Sequence, residues 1–347
     1  MDIRYLILAL TTRCNLHCVY CYSGPVAEPA DMSAAVLDRA LDLVRDGRGP
    51  FHLQLTGGEP TLVPQSIERA VRRARSLTRP CTIGIQTNGT LLDAGLVEFF
   101  RRFGVQVGVS LDGPPTVQVS LRGEAAKTFR GLQLLESHGV PFRVTTVVSG
   151  ANVGHLDRLV WTLAGFGRAR GIGLDLLVRK GRAGAPAAVE TAGASALRGG
   201  VGAMMAALDA ANRCRAAALQ LRELELIRDA AVSGGRPFFC HAAKGQSAAV
   251  GPDGRLFPCG QTMGDPRFAA GSLWQPEPDC LAISGTIDLP SKDCAGCPLE
   301  GRCPGDCPSR LHYNRSDHPE LICELYRALQ AHQKEGNFDR SRELMHS

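Results

Sequence analysis

The sequence predicts an α/β fold: a partial (β/α)6 TIM-like barrel followed by a small, cysteine-rich, loop-rich domain. Three observations predict it. Through the first half, apolar and β-branched runs alternate with amphipathic helical patterns at a spacing of roughly thirty residues, the rhythm of βα units. That rhythm stops near Arg182, where Ala and Gly take over up to Gly202. From Pro237 onward Gly and Pro punctuate the chain, and seven of its last eight cysteines fall into a patterned set.

The strand runs are Tyr5–Leu10, Phe51–Leu55, Thr82–Ile85, Val105–Val109, Val144–Val148 and Ile172–Val178. Between them, Ser33 is an N-cap for a helix with Val36, Leu37, Ala40, Leu41 and Val44 on one face. Further helical patterns cover Ser66–Ala74, Leu96–Phe100, Thr128–Ser137 and His155–Ala164, the last with Asn152 as its cap. These units fall short of the eight that close a barrel. In such sheets function gathers at the carboxyl ends of the strands. The expected divisions are 1–185 for the barrel, 186–236 for a helical bridge, 237–330 for the cysteine-rich domain and 331–347 for a helical tail. A segment so poor in apolar periodicity needs another source of stability, and metal ligation supplies one.

Composition narrows the function. Lys and Arg number 39 against 34 Asp and Glu, a net charge of +5 spread along 347 residues with no basic block, which excludes a nucleic-acid footprint. An apolar run long enough to span a membrane is missing, and the first dozen residues lack the pattern of a signal peptide. The expectation is a cytoplasmic protein. There, 13 cysteines, an odd count, are metal ligands or catalytic thiols sooner than disulfides.

Cys14, Cys18 and Cys21 directly follow the first strand. Three thiolates in one short loop can hold three irons of a 4Fe–4S cube and leave the fourth open. Zinc, with His17 as fourth ligand, is the plainer alternative. The spacing C-x3-C-x2-C, with Tyr20 before the last cysteine, resembles the signature of the radical SAM family. That resemblance implies a 4Fe–4S cluster on Cys14, Cys18 and Cys21, with S-adenosylmethionine chelated at the open iron. One electron then cleaves the sulfonium, and the resulting 5′-deoxyadenosyl radical abstracts hydrogen from a substrate. It further implies cofactor contacts from Tyr20 on the adenine side and from Gly58 and Glu59 in Thr56-Gly57-Gly58-Glu59-Pro60. Asn88, Ser110, Asp112 and Arg122 follow at later strand ends, Ser110 and Asp112 facing ribose or carboxylate and Arg122 the carboxylate. Read singly, the Gly pair and Asp112-Gly113-Pro114 are turns and Arg122 a surface charge.

Downstream, Cys240, Cys259, Cys294, Cys297, Cys303, Cys307 and Cys323 resemble the SPASM extension, which binds two auxiliary iron–sulfur clusters. The resemblance assigns Cys240, Cys259 and Cys307 to the first, and Cys294, Cys297, Cys303 and Cys323 to the second. A zinc ribbon on Cys294, Cys297, Cys303 and Cys307 is the competitor, and it leaves the other three unexplained. Cys280 is an outside candidate for the missing ligand of the first cluster. Cys81 and Cys214 read as core thiols.

The resemblance implies a peptide or protein substrate and an electron donor such as flavodoxin or ferredoxin, with any leader recognition coming from a separate leader-binding protein or from the barrel itself. Gly260 stands where the sulfatase-maturing branch carries a catalytic aspartate, which argues against formylglycine formation. Cys14 lies too near the start to leave room for an N-terminal leader-binding module. His241, beside Cys240, is the pocket histidine best placed for catalysis. Oxidation of a small molecule or tetrapyrrole is the second enzymatic reading, and a non-catalytic metal-binding scaffold the reading from another class.

Overall fold

In the computed structural model, which describes residues 2–26, 28–185, 189–232, 239–283, 294–314 and 320–345, one sheet organises the chain. Its first six strands are β1 (Tyr5–Ala9), β2 (Phe51–Thr56), β3 (Cys81–Thr87), β4 (Val105–Ser110), β5 (Phe142–Val148) and β6 (Ala169–Leu176). They pair in parallel in chain order. Each crossover carries a helix: α1 (Ala34–Arg45), α2 (Pro64–Arg75), α3 (Ala94–Phe103), α4 (Pro115–Leu121) with α5 (Ala125–Ser137), and α6 (Leu156–Ala164). Ser33 caps α1 through the Val36 amide, and its Val36, Leu37, Ala40, Leu41 and Val44 are buried. The helical face and the outward strand residues, such as Leu6, Leu53, Ile83 and Val107, form one continuous core.

Asn152 does not cap α6. Its side chain is buried, accepting from the Ser149 amide and donating to the carbonyls of Asp112 and Val147. Helix α4 had no apolar period strong enough to announce it.

The sheet has nine strands, in the order β7-β6-β5-β4-β3-β2-β1-β8-β9. After α7 (Ala194–Arg213), β7 (Gln220–Leu221) extends the β6 edge and leads into α8 (Arg222–Val232). β8 (Ser247–Val250) runs parallel to β1, and β9 (Leu256–Phe257) turns back on it. Every residue of β8 is buried: Ala248 and Val250 join the main core, and Ala249 packs with Ile7, Phe257, Phe268 and Ile283. The cysteine-rich segment therefore shares the barrel's sheet. The C-terminal helix Leu321–Met345 packs on α7, with an Arg198–Glu324 ion pair at 2.6 Å and a His332–Asp209 hydrogen bond at 2.8 Å. Among the described residues no helix is long and apolar enough to cross a membrane.

Candidate active site

The loop bearing Cys14, Cys18 and Cys21 leaves the carboxyl end of β1 and is held from three sides. The first brace is the turn after β2. Gly58 and Glu59 donate their amides to the Thr11 and Arg13 carbonyls, both at 2.8 Å. Gly57 has φ +155°, and a Cβ there would lie 2.5 Å from the Thr11 carbonyl oxygen; one on Gly58 would run into that of Arg13. Only glycine lets these backbones approach so closely. Gly58→Ala is accordingly expected to displace the cysteine loop: reconstituted protein should lose about four irons, one cubane's complement. Unchanged iron would refute the brace.

The second brace runs from β3. Asn88 Nδ2 donates to Asn15 Oδ1 at 2.9 Å, and Asn15 Nδ2 to the Thr90 hydroxyl at 2.8 Å. The buried Glu59 carboxylate accepts from the Thr61 amide and hydroxyl, the Thr87 hydroxyl and the Asn88 amide, at 3.1, 2.5, 2.6 and 2.7 Å. Burial pushes its pKa up, and those hydrogen bonds oppose the rise.

The third brace is a buried triad. Asp112, with no exposed surface, accepts from the Tyr20 hydroxyl, from Arg122 Nε and Nη2 at 2.8 and 3.2 Å, and from the Val147 amide at 3.0 Å. The guanidinium lies 5.2 Å above the Tyr20 ring. That ring packs among Val117, Leu121, Leu177 and Ala183. Asp112, Arg122 and the Tyr20 hydroxyl face one another, and Glu59 faces Thr61, Thr87 and the Asn88 amide, because each, once buried, needs a partner of its own. They support the cysteine loop. Asn88 is likewise turned to Asn15, and Ser110 accepts from Gln86 Nε2 at 3.0 Å inside the barrel.

The three thiols share one neighbourhood. Cys14 keeps open surface, yet the surrounding protein, then Glu59, Cys18 and Cys21, push it up to about 11, against the Leu16 amide. Burial raises Cys18 as well, while the Arg122 cation opposes. Iron binding at such thiols must displace protons and so strengthens with pH.

The downstream cysteines sort into two further groups. Burial, then Cys259 and, more weakly, Cys240, raise Cys307, and Cys259 acts on Cys240. Burial, then Cys323, Cys297 and Cys294, raise Cys303. These last four line a cavity of about 320 Å³ with Leu299, Tyr326 and Arg327. Among the described residues no three His, Cys, Asp or Glu side chains close on a single ion position. Thiols that share a space several atoms across fit a polynuclear centre. Cys280 lies apart, its Sγ 3.6 Å from Glu277. Cys81 packs at the core edge, but Cys214 is exposed at the end of α7 and is no core thiol.

Sequence reasoning missed the barrel's interior. Inward positions carry Gly84, Gly108, Gly171 and Gly173, and the missing side chains leave room for His52, Gln86, Arg143 and Arg222. Asp175, near the end of β6, pairs with Arg222 at 2.8 Å. Both keep more than a third of their side-chain surface exposed although deep in the fold, so the chamber is open to water. Tyr5 stacks between His52 and His241, at 4.7 and 6.0 Å. Tyr22 senses both Cys21 and Cys259, its phenol raised by burial and then by their charges. A charged residue interrupting the apolar run of β6 was the one available signal for Asp175.

Comparison with known proteins accords with this architecture. The radical SAM superfamily profile matches residues 8–160. An uncharacterized protein of Methanocaldococcus jannaschii is 34% identical over 184 residues, 51% of this chain and 64% of that protein, so just under two thirds of it is spanned. The serine-type anaerobic sulfatase-maturating enzyme of Klebsiella aerogenes is 26% identical over 340 residues, 90% of this chain and 81% of the enzyme. Among solved structures, anSMEcpe with bound AdoMet and Kp18Cys peptide superposes with a TM-score of 0.71 at 19% identity, over 95% of this chain and 98% of that one, a shared fold. The chain carries a radical SAM domain over residues 8–160, continued by a cysteine-bearing extension that completes the same sheet.

Proposed function

We propose that the chain is a radical SAM enzyme of the SPASM type that modifies a peptide or protein. The observation that carries this reading is the sorting of ten of its cysteines into three neighbourhoods: Cys14, Cys18 and Cys21; Cys240, Cys259 and Cys307; Cys294, Cys297, Cys303 and Cys323. When bound, a 4Fe–4S cluster with S-adenosylmethionine at the first supplies a 5′-deoxyadenosyl radical for hydrogen abstraction. The other two groups hold auxiliary clusters that take up the electron left behind. The chain's own residues do the positioning: Gly57, Gly58 and Asn88 fix the loop, and Arg122 lays a cation beside Cys18. The glycine-lined chamber between the loop and the first auxiliary group admits the substrate residue.

A peptide substrate is supported by the likeness to a sulfatase-maturating enzyme and by the shared fold with a peptide-bound neighbour. Gly260 offers no carboxylate at the position expected for a formylglycine-forming base, so another oxidative modification is the proposed outcome. His241, exposed and stacked on Tyr5, directly follows Cys240 of the first auxiliary group and is the proposed imidazole. A flavodoxin or ferredoxin supplies the electron, and a separate protein presents the leader. The cytoplasm, where thiols stay reduced and available to metal, is the proposed location.

Anaerobic reconstitution followed by dithionite and S-adenosylmethionine tests the reading. About ten to twelve irons per chain and release of 5′-deoxyadenosine are expected. Zinc without iron or sulfide would point instead to a metal scaffold. Co-expression with neighbouring small genes, and mass spectrometry for loss of two hydrogens, identifies the substrate.

A further inference from the structure

The segment from Leu177 to Arg182, just past β6, joins the Cys18–Cys21 loop to the turn after Cys259 and to the helix after Cys307. Arg182 donates its amide to the Cys21 carbonyl at 2.9 Å and its guanidinium to the Cys18 carbonyl at 3.2 Å. Gly181, at φ +60°, is pressed against the carbonyls of Cys21 and Tyr22. Asn314, which ends the helix Pro308–Tyr313 that begins next to Cys307, accepts from the Arg179 amide and donates to the Leu177 carbonyl, at 2.9 and 2.8 Å. Lys180 completes the hub. Its ammonium donates to the carbonyls of Gln261 and Met263 at 2.7 and 2.6 Å, straddling the turn after Cys259. It also stands 5.5 Å from the Tyr313 ring.

Lys180 is thus fixed at a stated place with its charge turned to the Cys259 loop, and Cys259 and Lys180 lie near enough for each charge to act on the other. The nearby carboxylate, Asp265, is engaged by Arg267 at 2.7 Å and by the Tyr313 hydroxyl at 2.8 Å. A half-buried cation held beside a thiolate-ligated centre stabilises the state with one more electron, since net charge and surroundings set such potentials.

We propose that Lys180 is a positioning residue that raises the reduction potential of the first auxiliary centre, making that centre the more ready electron acceptor of the two. The proposal rests on the assignment of Cys240, Cys259 and Cys307 to that centre. A cluster bound there would take up one electron as the substrate radical is oxidised to product, and Lys180 changes neither bonds nor protons.

The test is a redox titration followed by electron paramagnetic resonance, on full-length reconstituted protein in which Cys14, Cys18 and Cys21 are alanine, so that the two auxiliary centres are read alone. Lys180→Gln and Lys180→Met are each expected to lower the reduced-to-oxidised ratio of one centre about tenfold at a fixed poise, an electrostatic effect of one charge, equivalent to about 59 mV for one electron. Lys180→Arg should restore it, and the centre on Cys294, Cys297, Cys303 and Cys323 should not move. Equal potentials in wild type and Lys180→Gln, or an equal fall in Lys180→Arg, overturn the proposal while leaving the cluster assignment intact. Iron for one auxiliary centre only, with the Cys240 group empty, overturns the assignment and the proposal together.

Discussion

Replacing Cys18 with alanine is expected to abolish 5′-deoxyadenosine formation by the dithionite-reduced protein while about eight irons per chain remain, the content of two cubane-type centres. The separation follows from the geometry. Cys14, Cys18 and Cys21 sit in one loop off β1, braced by Gly58, Asn88 and the Asp112 triad, and its link to the Cys259 side, through Arg182 and Lys180, is made to backbone carbonyls and not to the thiols. A cluster held by three thiolates has no ligand in reserve, so removal of any one leaves two and the centre is lost. The four thiols around the cavity at Tyr326 form an independent set, so Cys303→Ala is expected to remove its own irons and leave S-adenosylmethionine cleavage measurable. Iron analysis and chromatography of the reaction check both variants. Wild-type nucleoside yield from Cys18→Ala, with full iron, would end the assignment of the radical centre to this loop.

Much of this was legible in the sequence because metal-ligand spacing is local information. Cys14-x3-Cys18-x2-Cys21 is set by a short loop, and the six parallel strands announce themselves by apolar runs of β-branched residues. What stayed hidden depends on burial. Asp112 and Arg122, read from sequence, are polar residues at a strand end and therefore plausible ligand contacts. In three dimensions both are enclosed, and enclosed charges must satisfy each other before they can serve anything else. Strand β8 was hidden for the opposite reason. Ser247-Ala248-Ala249-Val250 is too short and too small-chained to carry a period, and only its slot beside β1 makes it a strand. The chamber was written as absences, in Gly84, Gly108, Gly171 and Gly173, whose meaning depends on which side chains lie across them.

Asp112→Ala is the substitution expected to destabilise the fold most. The lost carboxylate leaves three donors without their acceptor: Arg122, whose side chain is 10% exposed, the Tyr20 hydroxyl and the Val147 amide. Removing one partner of a buried ion pair costs about 3–5 kcal/mol, chiefly because the other charge stays buried and uncompensated. Asp112→Asn keeps the shape and some of the hydrogen bonds but not the charge, so its loss should be smaller. The diagnostic comparison is a double-mutant cycle in which Arg122→Met is added to Asp112→Ala. With the cation gone, the pair should lose less than the sum of the single losses, by about 1–3 kcal/mol as residues in contact do. Urea midpoints of anaerobically reconstituted protein measure the cycle. Additive losses would mean that the triad acts as three separate contacts. Iron at the first centre should fall with Asp112→Ala and stay low in the double variant even where stability partly recovers, because Tyr20 then lacks a partner for both its hydroxyl and its ring, and Cys21 follows Tyr20 in the loop.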